Sequence, residues 1–163
     1  MTHTLTLVLA AAGCLACLAC VDTSPDRVKL TATVGAVDLS VTKGPLVTSL
    51  SGTLSFGLSV GDLASGDDVM AAAPTFQLTS AGEQAGPGID ALPASGTFPL
   101  TLASGETRAV VFSLTDQNTL DAAELSSLCA GPVRVVASFR DSLSGDRATS
   151  VQSEPVTVKG CSP

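Results

Sequence analysis

Tryptophan and tyrosine are absent from this chain, and histidine and asparagine occur once each. Each scarcity closes off a kind of chemistry. Without Trp or Tyr the chain lacks the usual ring platform for sugars. That weighs against a glycoside hydrolase working through a carboxylate pair. The sole histidine is His3, so the body of the chain has no imidazole for a Ser-His-Asp or Cys-His arrangement or for a His-ligated metal. Basic residues are also few. Eight Lys and Arg are scattered from Arg27 to Lys159 against fifteen Asp and Glu, for a net charge of −7. Binding a phosphate backbone needs a concentrated positive face, so nucleic acid is not expected as a partner. No Gly-rich phosphate loop is present either, because "GPG" at 86–88 is followed by neither a lysine nor a helix. No cofactor is expected, and the residues identify no small-molecule substrate.

What remains is apolar and strand-forming. Hydrophobic residues make up 45% of 163 residues, and the only large rings are five phenylalanines. That suffices for one domain with a light core. Thr4 to Val21 carries no charge and is almost entirely apolar, and polar residues begin abruptly at "VDTSPD". This fits a secretory signal peptide, with His3 and the α-amine supplying the positive end, or with a true start upstream. A membrane-spanning helix is the competing reading, since about 18 residues barely cross a bilayer. Cys14, Cys17 and Cys20 stand three residues apart in this stretch, as "GCLACLAC". A metal site is disfavoured, because C-x2-C needs further ligands downstream.

The end of the stretch resembles the lipobox of bacterial lipoproteins, an apolar residue and two small ones before a cysteine. The resemblance implies removal of the leader and a diacylglycerol on the new N-terminal thiol. "LAAAGC", ending at Cys14, has the better small residues. Cys20 leaves the longer apolar run and is followed at once by a polar tether, so Cys20 is the expected lipidation site and Cys14 the alternative. The expected organisation is a signal peptide over 1–19, an anchor and tether over 20–26, and a domain over 27–161, tethered by its lipid in the bacterial cell envelope.

Beyond the tether, hydropathy alternates with period two, the mark of half-buried strands. Val28, Leu30, Ala32 and Val34 share one side; Val37, Leu39 and Val41 repeat the pattern in "VDLSV". Leu54, Phe56, Leu58 and Val60 point inward from the next strand, and Phe76 and Leu78 from "TFQLT". Residues 81–96 have no period and many turn formers, which predicts a long mobile loop. "TFPLTL" and "TRAVVFSL", joined by "ASGE", predict a tight hairpin. Asp121 and Glu124 form a capping-box pattern before a two-turn helix with Leu125 and Leu128 on its core side. In the last hairpin Val133, Val135, Ala137 and Phe139 point inward. The returning strand changes parity around Pro155, which predicts a bulge on an edge strand.

Two cysteines lie outside the leader, Cys129 and Cys161. If the last hairpin turns near Gly145 they fall opposite one another, within disulfide reach, and export would supply the oxidising compartment. Two acidic loops are the only weak metal candidates. One holds Asp62, Asp67 and Asp68; the other holds Asp116, Asn118, Asp121 and Glu124. Neither has the alternating acids and central glycine of an EF-hand, and turn and cap chemistry explains both more simply.

Seven to nine short strands with one helix before the last hairpin predict an all-β sandwich, with a small barrel as the alternative. "GTFPLTLASGETRAVVFSL" and "GPVRVVASFRDSLSG" resemble bacterial immunoglobulin-like domains. The resemblance implies a binding, adhesion or structural module rather than an enzyme, with 61–68 and 81–96 as its contact loops. A carboxylate-based hydrolase and a calcium-stabilised adhesion domain are the alternatives.

Overall fold

A computed structural model describes residues 30–62, 68–80, 85–143 and 148–161. Its strands are β1 (Leu30–Lys43), β2 (Thr48–Val60), β3 (Val69–Ala71), β4 (Thr75–Thr79), β5 (Ala85–Ile89) and β6 (Ala91–Pro93), followed by β7 (Leu100–Leu102), β8 (Thr107–Leu114) and β9 (Thr119–Leu120). Helix α1 (Ala122–Cys129) precedes β10 (Arg134–Arg140) and β11 (Ala148–Gln152). The first sheet has the order β1-β2-β8-β6, with β9 added to the end of β2. The second has the order β11-β10-β4-β5, and β3 and β7 form a small third sheet. Every strand pair within these sheets is antiparallel.

The alternating residues lie where the pattern puts them. Leu54, Phe56, Leu58 and Val60 are buried on β2, and Val133, Val135, Ala137 and Phe139 are buried on and just before β10. The two segments 30–34 and 37–41 prove to be one strand. Three residue steps along β1, from Val34 to Val37, lie opposite the two steps from Phe56 to Leu54 on β2. The extra residue is a bulge, and it moves the inward set from even to odd numbers without ending the strand.

All five phenylalanines join one cluster that crosses the gap between the sheets. Phe56 on the first sheet meets Phe76 and Phe139 on the second at ring-centroid distances of 5.8 and 5.6 Å. Phe112 meets Phe76 at 5.0 Å and Phe98 at 5.4 Å. Most of these pairs are edge-on or tilted, the favoured geometry for quadrupolar rings. With Trp and Tyr missing, these rings supply the aromatic bulk that holds the layers together.

Helix α1 forms as its pattern predicts. Asp121 accepts from the Glu124 backbone N–H at 2.8 Å, and Glu124 accepts from the Asp121 N–H at 2.9 Å. Leu128 is buried and Leu125 packs against the core. No helix among the described residues is long and apolar enough to cross a membrane.

Three expectations need correction. The described strands number eleven rather than seven to nine, because short ladders of two to five residues form where no period is visible. Residues 85–93 of the predicted loop are strands β5 and β6, while 81–84 lie outside the described residues. Segments 97–102 and 107–114 do not form a hairpin: β7 pairs with β3, and β8 lies between β2 and β6. The turn between them exists, with Gly105 at φ +73° and Glu106 N–H donating to the Ala103 carbonyl at 3.0 Å. It turns a corner between sheets, because β2 holds one edge of β8 and β6 holds part of the other.

Candidate functional site

The segment from β5 to β6 passes from the second sheet to the first at Asp90, and Asn118 pins it there. The Asn118 side chain accepts from the Asp90 N–H at 2.7 Å and donates to the carbonyls of Asp90 and Thr115 at 2.7 and 2.9 Å. Thr115 N–H also donates to the Asp90 carbonyl at 3.0 Å, and Leu50 N–H donates to the Asn118 carbonyl at 2.8 Å. The amide thus supplies both a donor and an acceptor to a backbone that has left its ladder. It is buried.

Beside this pin lies an open groove of about 330 Å³, lined by Ala73, Pro74, Leu92, Pro93, Phe98 and Phe112 among others. A neighbouring hollow shares Pro74 and Ala91 and adds Asp90. Leu92 at the rim is 64% exposed. The surface is apolar, lined by proline and backbone-fixed residues, and offers few groups able to do chemistry. A second apolar projection is the β1–β2 turn, where Leu46 is 95% exposed beside a half-exposed Val47.

The described acidic residues are not brought together into one site. Asp62 follows β2 and Asp116 follows β8, at opposite ends of the first sheet, because Ser59 pairs with Thr107 and Thr53 with Ser113. The length of β8 alone separates them by about 26 Å. Asp62, Asp68 and Asp116 are exposed; Asp67 lies outside the described residues. Asp121 and Glu124 are spent on the helix cap, and Asn118 on the crossover. Among the described residues, no group of three or more His, Cys, Asp or Glu is arranged to hold a metal ion. Glu106 has a displaced titration. The Ala103 N–H, which it binds at 2.8 Å, and then the Arg108 guanidinium hold it below the usual glutamate range. It braces the corner turn.

Cys129 and Cys161 are joined, with Cα atoms 5.2 Å apart. The bulge that could have spoiled their register is present. Val136 pairs with Gln152 and Val133 with Val156, three residues against four. Ser153 repairs the ladder there. Its N–H donates to the Val135 carbonyl, and its hydroxyl accepts from the Val135 N–H, both at 2.9 Å. Cys14, Cys17 and Cys20 lie outside the described residues. The roles of Asn118 and Ser153 were missed in the sequence. The chain's single asparagine after a strand, and a serine two residues before the bulge proline, were the signals on offer.

No protein-family model, no curated protein and no solved structure matches the chain.

Proposed function

We propose that the chain is an exported, lipid-anchored envelope protein, whose immunoglobulin-like sandwich acts as a non-catalytic binding or structural module. The observation that carries the export reading is the Cys129–Cys161 disulfide. Such bonds persist in oxidising compartments, and an uncharged apolar leader with three cysteines precedes the domain. The first of those leader cysteines to stand directly before a polar tether is Cys20, which takes the lipid; Cys14 is the alternative. The sandwich then faces its partners from the membrane surface. The contact face is the groove at Ala73, Pro74, Leu92, Pro93 and Phe98, where a rigid frame presents apolar surface.

The test is intact-mass analysis of the protein recovered from the membrane fraction of a bacterial cell producing the full chain. The expected species begins at Cys20, carries a diacylglyceryl group and is two hydrogens lighter than its reduced form. A soluble species that retains Met1 and carries free thiols overturns the reading.

A further inference from the structure

We propose that Val156–Cys161 is a strap latched by the Cys129–Cys161 disulfide, and that a dithiol reductant releases it locally, baring the outer edge of β1 while both sheets stay folded.

The strap leaves the second sheet and joins the first. At its start, Val156 exchanges two backbone hydrogen bonds with Val133, at 2.9 and 2.7 Å. Three residues later, Val41 N–H donates to the Lys159 carbonyl at 2.8 Å, and Lys159 N–H donates to the Leu39 carbonyl at 2.9 Å. Ser40 and Lys159 thus form a parallel bridge on the free side of β1. Between these points Val158 is buried in the core. The remaining hold is weak. The Lys159–Asp38 ion pair, at 2.6 Å, is more than half exposed on both sides, and such pairs add little. Gly160 has φ +76°, and a Cβ there would sit 2.3 Å from the Val41 carbonyl oxygen. Four backbone bonds and one valine must therefore order six residues, a balance close to even without a covalent tie.

The latch is anchored at its other end. Cys129 is the last residue of α1, whose start is fixed by the capping box and whose Leu128 is buried. The sheets do not need the strap. β1 is paired with β2 along its whole length, and β10 lies between β4 and β11. Both cysteines are half-buried, within reach of a small dithiol. The exchange is balanced: the protein disulfide takes two electrons and two protons to give two thiols, and the dithiol closes to its own disulfide. Release would lengthen an existing opening. A groove of about 340 Å³ already lies between β1 and the β11 edge, lined by Ala32, Val34, Val37, Val151 and Val156.

The experiment is residue-resolved backbone hydrogen exchange on the full chain, oxidised and in dithiothreitol. The amides of Val41, Val156 and Lys159 are expected to exchange about ten-fold or more faster after reduction, while amides in the β2–β8 ladder change by less than about three-fold. A Cys129→Ser, Cys161→Ser chain should reproduce the reduced pattern without reagent; should it not fold, reduced wild type remains the measurement. Gly160→Val with the disulfide intact should loosen Lys159 and Val41 alone. Unchanged exchange at Val41 on reduction, or a uniform rise across all strands, overturns the proposal.

Discussion

Two side chains, Asn118 and Glu106, carry tasks that follow from their residue types. Asn118 is an amide where an amide is needed, since only a group with adjacent donor and acceptor can replace both halves of a backbone pair at Asp90. Asn118→Ala is expected to cost about 2–4 kcal/mol, because three hydrogen bonds go and the Asp90 N–H loses its partner. Urea unfolding monitored by circular dichroism would read it. Glu106 gives a pH dependence whose sign follows from its lowered pKa. A carboxylate held below its unfolded value stabilises the fold above that value, and the contribution is lost as the pH falls through the folded value. Wild type should therefore lose stability relative to Glu106→Gln on acidification below the ordinary glutamate range, and the two should run parallel near neutrality. Melting curves from pH 7 to pH 3 would show it. Neither role is encoded by period: Asn118 acts on Asp90, twenty-eight residues away, where only the fold brings the chain together, while Glu106 acts within its own turn, on Ala103 and Arg108.

Elements were legible in proportion to their regularity. β2, β10 and the capped helix α1 follow directly from alternation and from Asp121 with Glu124, since each is specified by contacts a few residues apart. The bulge near Pro155 was legible too, because a parity change cannot be hidden in a sequence with period two. β5 and β6 were not. "AGPGI" and "ALP" have no alternation, and their pairing is dictated by Phe76 on one side and Phe112 on the other, both distant in sequence. The corner between β7 and β8 was misread for the same reason: a tight turn fixes direction, while the free edges decide which neighbour each strand takes. Hairpin arithmetic about Gly145 pairs Cys129 with Cys161, and the one-residue shift at the bulge does not undo the pairing. Ser153 makes that shift tolerable, so Ser153→Ala should leave the buried Val135 N–H without a partner. The expected loss is about 1–3 kcal/mol, read from urea midpoints at unchanged slope.

The whole molecule rests on burial across a gap. Phe56 touches rings from the facing sheet and from its own, and no other aromatic type is present to share the work. Phe56→Ala should cost about 3–5 kcal/mol, while Phe98→Ala, at the margin of the cluster and only partly buried, should cost less. Thermal unfolding by calorimetry would rank them. The candidate contact face was only half visible beforehand. Residues 81–96 read as a loop in the sequence, yet 85–93 within them form a pair of pinned strands beside an apolar hollow. The acidic loop around Asp62 and Asp68 contributes no comparable surface among its described residues.

The uninterrupted run of β1 also gives the molecule an axis. Fourteen residues, Leu30–Lys43, at about 3.3 Å each make a strand some 45 Å long, with exposed Leu46 in the turn just past its far end. An anchor upstream of Leu30, as proposed, would hold the near end of this strand and leave that leucine at the other, like the tip of a mast.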